Sequence, residues 1–153
     1  MARQGAWEGP HETDGRQTMA DYTLSITTER PYGETVAAVR EQLAEAGFGV
    51  LTEIDLRATL KAKLDVDVAP QVILGACRPQ LAHQALQAEP SIAALLPCNV
   101  VVRSVGEATT DVEAFDPVMM TSIVEEPSEA LRAVAEDARA RLVSALSSQG
   151  EQA

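Results

Sequence analysis

Aromatic side chains are scarce in this sequence. Trp7, Tyr22, Tyr32, Phe48 and Phe115 make up 3% of its 153 residues. A surface that stacks nucleobases needs several aromatics on one face, so that reading is poorly supplied. Basic residues are short as well: 12 Lys and Arg against 23 Asp and Glu leave a formal net charge of −11. That field repels a nucleic-acid duplex or an anionic membrane surface, and no basic patch offsets it. Cysteine is limited to Cys77 and Cys98, fewer than a secreted disulfide scaffold normally carries. His11 and His83 are the only histidines, and no CxxC or HxxxH pair offers a zinc site. No apolar run reaches the ~18 residues that cross a bilayer. The first 20 residues lack the apolar stretch of a secretory signal. The expectation is a cytoplasmic protein with reduced thiols and no nucleic-acid or membrane partner. Catalytic signatures are missing too: there is no GxSxG, no GxGxxG after a strand and no phosphate loop.

What remains is an ordinary globular composition, 46% hydrophobic, in a chain long enough for one sizeable core. Residues 1–20 read as a disordered tail, broken at Gly5, Gly9, Pro10 and Gly15 and without a hydrophobic period. Either that tail is a mobile extension, or translation begins at Met19. Residues 21–148 read as one domain. Tyr22, Leu24 and Ile26 alternate with Thr23, Ser25 and Thr27, which predicts a half-buried strand. Val36, Val39, Leu43 and Ala46 form the stripe of a first helix that stops at Gly47. Phe48–Ile54 is a second strand, and Asp55 caps a short helix bearing Leu56, Leu60 and Leu64. The three bases on its outer side, Arg57, Lys61 and Lys63, read as a solvated face. The apolar run Val72–Ala76 predicts a central strand, and Pro79 opens the next helix.

Cys98–Val105 and Ala108–Phe115 form the clearest hairpin, turning at Gly106-Glu107. Val118–Val124 is ambiguous between a helical turn around Met119 and Met120 and a short strand. A long C-terminal helix from about Pro127 carries Leu131, Val134, Ala138, Leu142 and Val143. The order predicts an α+β fold: a mainly antiparallel sheet with helices packed on one face.

One constellation bears chemistry. Cys77 ends a strand just before a helix N-terminus, a position that lowers a thiol pKa. The tight turn makes paired positions in the hairpin sum to about 213–214, which sets Cys98 beside Phe115 or Asp116. Met119 and Met120 follow. Two thiols, a carboxylate and a thioether suit a soft metal, a haem edge or a redox couple. Against this stands a plainer reading, in which Cys77 and Cys98 are small buried hydrophobes, Asp116 caps the turn at Pro117 and the methionines are core. Glu53 and Asp55 form a close acidic pair, a general acid–base candidate; a solvated Glu53 beside a capping Asp55 is simpler. His83, six residues after Cys77, is a partner for that thiol only if it does not face the surface.

The segments Thr52 to Asp67, Ile73-Leu74-Gly75-Ala76-Cys77-Arg78-Pro79, Gln84 to Pro90, Leu95 to Val102, and Asp116-Pro117 with Met119-Met120 occur in an order and at spacings that resemble the family called domain of unknown function 302. The likeness runs from about Tyr22 to Leu146. Cys77-Arg78-Pro79 stands where the family usually has Cys-Asn-Pro, and His83 where an aromatic is frequent. The resemblance implies a TATA-binding-protein-like α+β fold and a homodimer. It implies no assigned activity and no DNA binding. It also marks Glu53, Cys77, Cys98 and Asp116 as a recurring polar set.

Three functions therefore compete. The first is a module binding a small ligand or soft metal at Cys77, Cys98, Asp116, Met119 and Glu53. The second is a dimeric interaction module with structurally buried cysteines. The third is a thiol enzyme using Cys77. The sequence names neither a cofactor nor a substrate.

Overall fold

A computed structural model describes residues 21–150. The expected tail, residues 1–20, lies outside them. The described chain runs β1 (Thr23–Thr28), α1 (Tyr32–Glu45), β2 (Gly49–Asp55), α2 (Leu56–Leu64), β3 (Gln71–Cys77), α3 (Pro79–Ala88), a 3-10 segment (Pro90–Leu95), β4 (Cys98–Gly106), β5 (Thr109–Phe115), a 3-10 turn (Pro117–Met119), α4 (Met120–Ile123) and α5 (Glu129–Gly150). The five strands form one sheet in the order β1-β5-β4-β3-β2, and every neighbouring pair is antiparallel. This is the α+β class that the element order predicts.

Alternation decides which face of the sheet is covered. Leu24, Val72, Leu74, Val100, Val102, Val112 and Ala114 are buried on one side, where they meet Val39 and Leu43 of α1 and Leu142, Ala145 and Leu146 of α5. Each such side chain contributes about 1.5–3 kcal/mol by leaving water, so this layer is the main source of stability. The opposite face is polar along one row, Thr27-Asp111-Arg103-Gln71, and partly apolar along the next, where Val101, Ile73 and Ile54 lie side by side. Arg103 pairs with Glu113 on that face at 3.4 Å.

Local chemistry explains most element ends. The Asp55 carboxylate accepts the Ala58 N–H at 2.9 Å and starts α2, as its sequence position predicts. Gly47 follows α1 at φ +88°, a conformation that only glycine adopts cheaply. Ser128 caps α5 through the Leu131 N–H at 3.1 Å.

Three expectations are corrected. Residues 120–123 are helical, with no strand in the Val118–Val124 stretch. In α5, Val143 is 38% exposed, and the inward positions are Ala145 and Leu146. Finally, β3 is an interior strand but not the middle one; β4 occupies the centre of the sheet.

Candidate functional site

A second buried cluster fills the corner between α3, α4 and α5: Leu81, Ala85, Ile92, Met120, Leu131, Val134, Ala135 and Ala138. Where it meets the end of the sheet, packing leaves a cavity of about 30 Å³. Cys77, the last residue of β3, and Cys98, the first of β4, both line it. The strand register sets them at the same end of the sheet. Ala76 lies opposite Cys98, so Cys77 is one residue away along the neighbouring strand. Met120 and Arg78 complete the wall where sulfur and charge are concerned; Phe48, Leu81, Leu96 and Val134 supply apolar surface.

Volume limits what such a space can hold. One water needs about 10–15 Å³ of comparable volume, and pockets for organic ligands run to about 300–1,000 Å³. The cavity therefore takes a monatomic ion or a water-sized species, and a haem does not fit inside it.

Both thiols are free. Cys98 is buried, and burial, reinforced by the neighbouring Cys77, pushes its pKa up to about 11. Burial raises the Cys77 thiol as well. This reverses the expectation for Cys77. Arg78 is the N-cap of α3 and Pro79 takes the first helical position, so the first turn lacks the amide that Pro79 would otherwise present. Desolvation is then left to set the direction.

Arg78 has a structural task. Its Nη1 donates to the Ala46 carbonyl at 3.3 Å, across 32 residues of sequence. The side chain lies over Gly47, where any Cβ would overlap its guanidinium. Its Nε is buried without a hydrogen-bond partner among the described residues. An unpartnered buried donor of this kind costs about 1–3 kcal/mol or more.

The other residues singled out from sequence lie elsewhere. Asp116 accepts the Val118 N–H at 3.0 Å and pairs with Arg139 at 3.1 Å, and it lines a separate surface depression with Glu136 and Ala140. Continuing the β4–β5 register places Cys98 level with Asp116 in the backbone, but the carboxylate takes no part in the thiol cavity. Met119 ends the 3-10 turn, and the methionine at the cavity is Met120. Glu53 lies on β2 in an exposed ion pair with Arg40. His83 is exposed on α3. The predicted five-residue patch thus reduces to Cys77 and Cys98, joined by Met120 and Arg78. No group of three or more His, Cys, Asp and Glu converges among the described residues.

Residues 24–148 match the family described as Domain of unknown function DUF302. The chain belongs to that family. A crystal structure of an uncharacterized conserved protein DUF302 from Bacillus stearothermophilus is similar to it at 29% identity, with a TM-score of 0.75, over 85% of this chain and 99% of that one. No protein with a curated description matches. Membership in DUF302 fixes the fold and leaves the activity unassigned.

Proposed function

We propose that this DUF302 domain is a binding module for a small thiophilic species, a soft metal ion foremost, held at Cys77 and Cys98. The observation that carries the reading is that Cys77 and Cys98, both free, border one cavity together with Met120. Soft sulfur donors select soft ions. A thiol enzyme is the weaker reading, because among the described residues no histidine or carboxylate borders the cavity to activate Cys77, and burial raises that thiol's pKa.

The test is native mass spectrometry of protein purified without tag or chelator. It is combined with thiol alkylation before and after one equivalent of Hg(II). The expected result is protection of both thiols, lost on Cys77→Ser or Cys98→Ser. Thiols that alkylate equally well with and without the ion overturn the reading.

A second reading has its own observation. Ile54, Ile73 and Val101 lie side by side on the sheet face away from α1 and α5, Ile54 is 44% exposed, and α2 buries none of its residues. This supports a homodimer formed through that face, in line with the family resemblance. The same mass spectrum reports it: a mass of two chains supports the homodimer, and a monomer across the micromolar range removes it.

A further inference from the structure

We infer that β2 and α2 together, residues 49–64, form a strap that opens as one unit while the rest of the sheet stays folded, and that its opening uncovers the Cys77 end of β3. The inference stands apart from the ion-binding reading: it concerns how that end of the sheet is reached, whatever occupies the cavity.

Burial marks the limits of the strap. Phe48 and Val72 are both buried in the first core, and between them, from 49 to 71, no residue is buried. The next longest run of this kind among the described residues, 121–130, is less than half as long. Within the strap, Val50 packs half-buried against that core. The cost of opening a segment grows with the apolar surface it must expose, which places this one at the low end.

The ladder is weak there too. β2 is an edge strand, and its pairing with β3 is interrupted by a bulge between Val50 and Thr52. α2 has nine residues and buries none. Helices below about 12–15 residues are marginal in water on their own, so α2 depends on its attachment to β2. Asp55 couples the two: it ends the strand, and its carboxylate caps the helix. The Arg40–Glu53 pair that ties β2 to α1 is exposed, where water screens it. The opposite sheet edge is built differently. β1 buries Leu24 and Thr28, and the Thr28 hydroxyl donates to the Gln149 carbonyl of α5 at 3.3 Å. The chain turns at Gly47 (φ +88°) shortly before the strap and at Asp65 (φ +54°) just after it, element-terminal positions of the kind that absorb a hinge rotation.

What the strap covers gives it a role. Gly49 pairs with Cys77 and Val50 with Ala76, so departure of β2 leaves that end of β3 as a bare edge. Phe48, next to the strap, borders the cavity together with Cys77. Cys98 lies on β4, and β3 stands between it and the strap. Opening therefore exposes Cys77 and leaves Cys98 covered.

The test is hydrogen exchange of the full chain, read by mass spectrometry at two protein concentrations, with thiol labelling in parallel. The expected result is one shared opening constant for the β2 and α2 amides, roughly 100-fold or more above that of β4 and β5. Asp55→Ala removes the cap, raises that constant about fivefold and leaves β4, β5 and α5 unchanged. Arg40→Gln loosens the same segment from α1 and serves if the first variant folds poorly. Cys77 labelling rises in the same proportion, and Cys98 labelling does not. Exchange of 49–64 in step with β4, or of α2 ahead of β2, overturns the strap. Protection of 49–64 that grows with protein concentration assigns the segment to a subunit interface and overturns it in favour of the homodimer. A Cys77 rate unchanged in a variant whose strap amides exchange faster overturns the gating of that thiol.

Discussion

Ala76 of β3 sits directly opposite Cys98 of β4, and this register sets Cys77 and Cys98 at the same end of the sheet, where both residues border one cavity. A slip of one residue would turn each strand's core side chains to the other face. The pair is thus a product of strand pairing, held by the same ladder that buries Leu74 against Val100.

The two thiols differ in burial, and their reactivity should follow. At neutral pH only about one Cys98 in ten thousand is thiolate with a pKa near 11. Cys77 is only partly buried and its thiol is raised less far than that. We expect slow labelling of the native protein by a water-soluble disulfide reagent, Cys77 ahead of Cys98, with both rates rising with pH. Cys77→Ser removes the faster phase. Labelling of Cys98 first contradicts this ordering.

Cys98 also makes stability depend on alkaline pH. Its folded pKa lies above the unfolded value of roughly 8.5–9, so the folded state holds the proton more tightly. The stabilisation is fully present below about pH 8.5 and is lost as pH rises through about 11. The loss is on the order of 2–3 kcal/mol. Urea midpoints measured from pH 8 to 11 should fall more steeply in the natural protein than in Cys98→Ala. Parallel curves count against a buried, protonated thiol.

Asp116 is assigned to architecture. Its carboxylate caps the 3-10 turn at Val118 and pairs with Arg139, so Asp116→Ala is expected to cost about 1–2 kcal/mol. Thiol protection by Hg(II) should be unchanged in that variant, because Asp116 does not border the cavity. A loss of cation uptake with intact stability would return Asp116 to the site.

Gly75 is a position where close packing leaves no room. A Cβ there would overlap the Thr52 hydroxyl and come within 2.8 Å of Pro97 Cγ. Gly75→Ala is expected to destabilise by about 1–3 kcal/mol. Thr52→Ala in the same background should recover part of it, as read from urea midpoints.

Local rules carried the reading of this sequence a long way, and they stopped where tertiary geometry took over. The Cys98–Phe115 hairpin was readable as a pair of strands, but its turn lies at Glu107-Ala108, one residue beyond the expected Gly106-Glu107, and the register shifts between Ser104 and Gly106, which local turn rules do not foresee. Asp55 and Gly47 announced helix ends by chemistry confined to a few neighbouring residues. The exchange of Met119 for Met120 has a different origin. There a 3-10 turn passes into α4, and the change in residues per turn decides which methionine faces inward. Val143 was apolar but off the angle of its stripe, which Leu142, Ala145 and Leu146 continue. Arg78 had no local signal, since its partners at Ala46 and Gly47 are distant in sequence and meet it only after β2 has paired with β3. The pKa direction at Cys77 was not legible for the same reason: proximity to a helix start is visible in a sequence, and the burial that raises this thiol is not.

The place of β1 at the sheet edge beside β5 governs the order in which the molecule can be made. Thr23 hydrogen-bonds to Glu113, 90 positions further along the chain. On a ribosome adding about 5–20 residues per second, β1 spends several seconds without the strand that will shelter it. Through that interval Leu24 has no sheet to bury it. Joining β1 to β5 also requires closing the longest loop in the sheet, which belongs late on the folding route and slows it. A nascent chain halted before Thr109 therefore presents an unpaired β1 and an uncovered β4 edge, two surfaces that a second nascent copy can join.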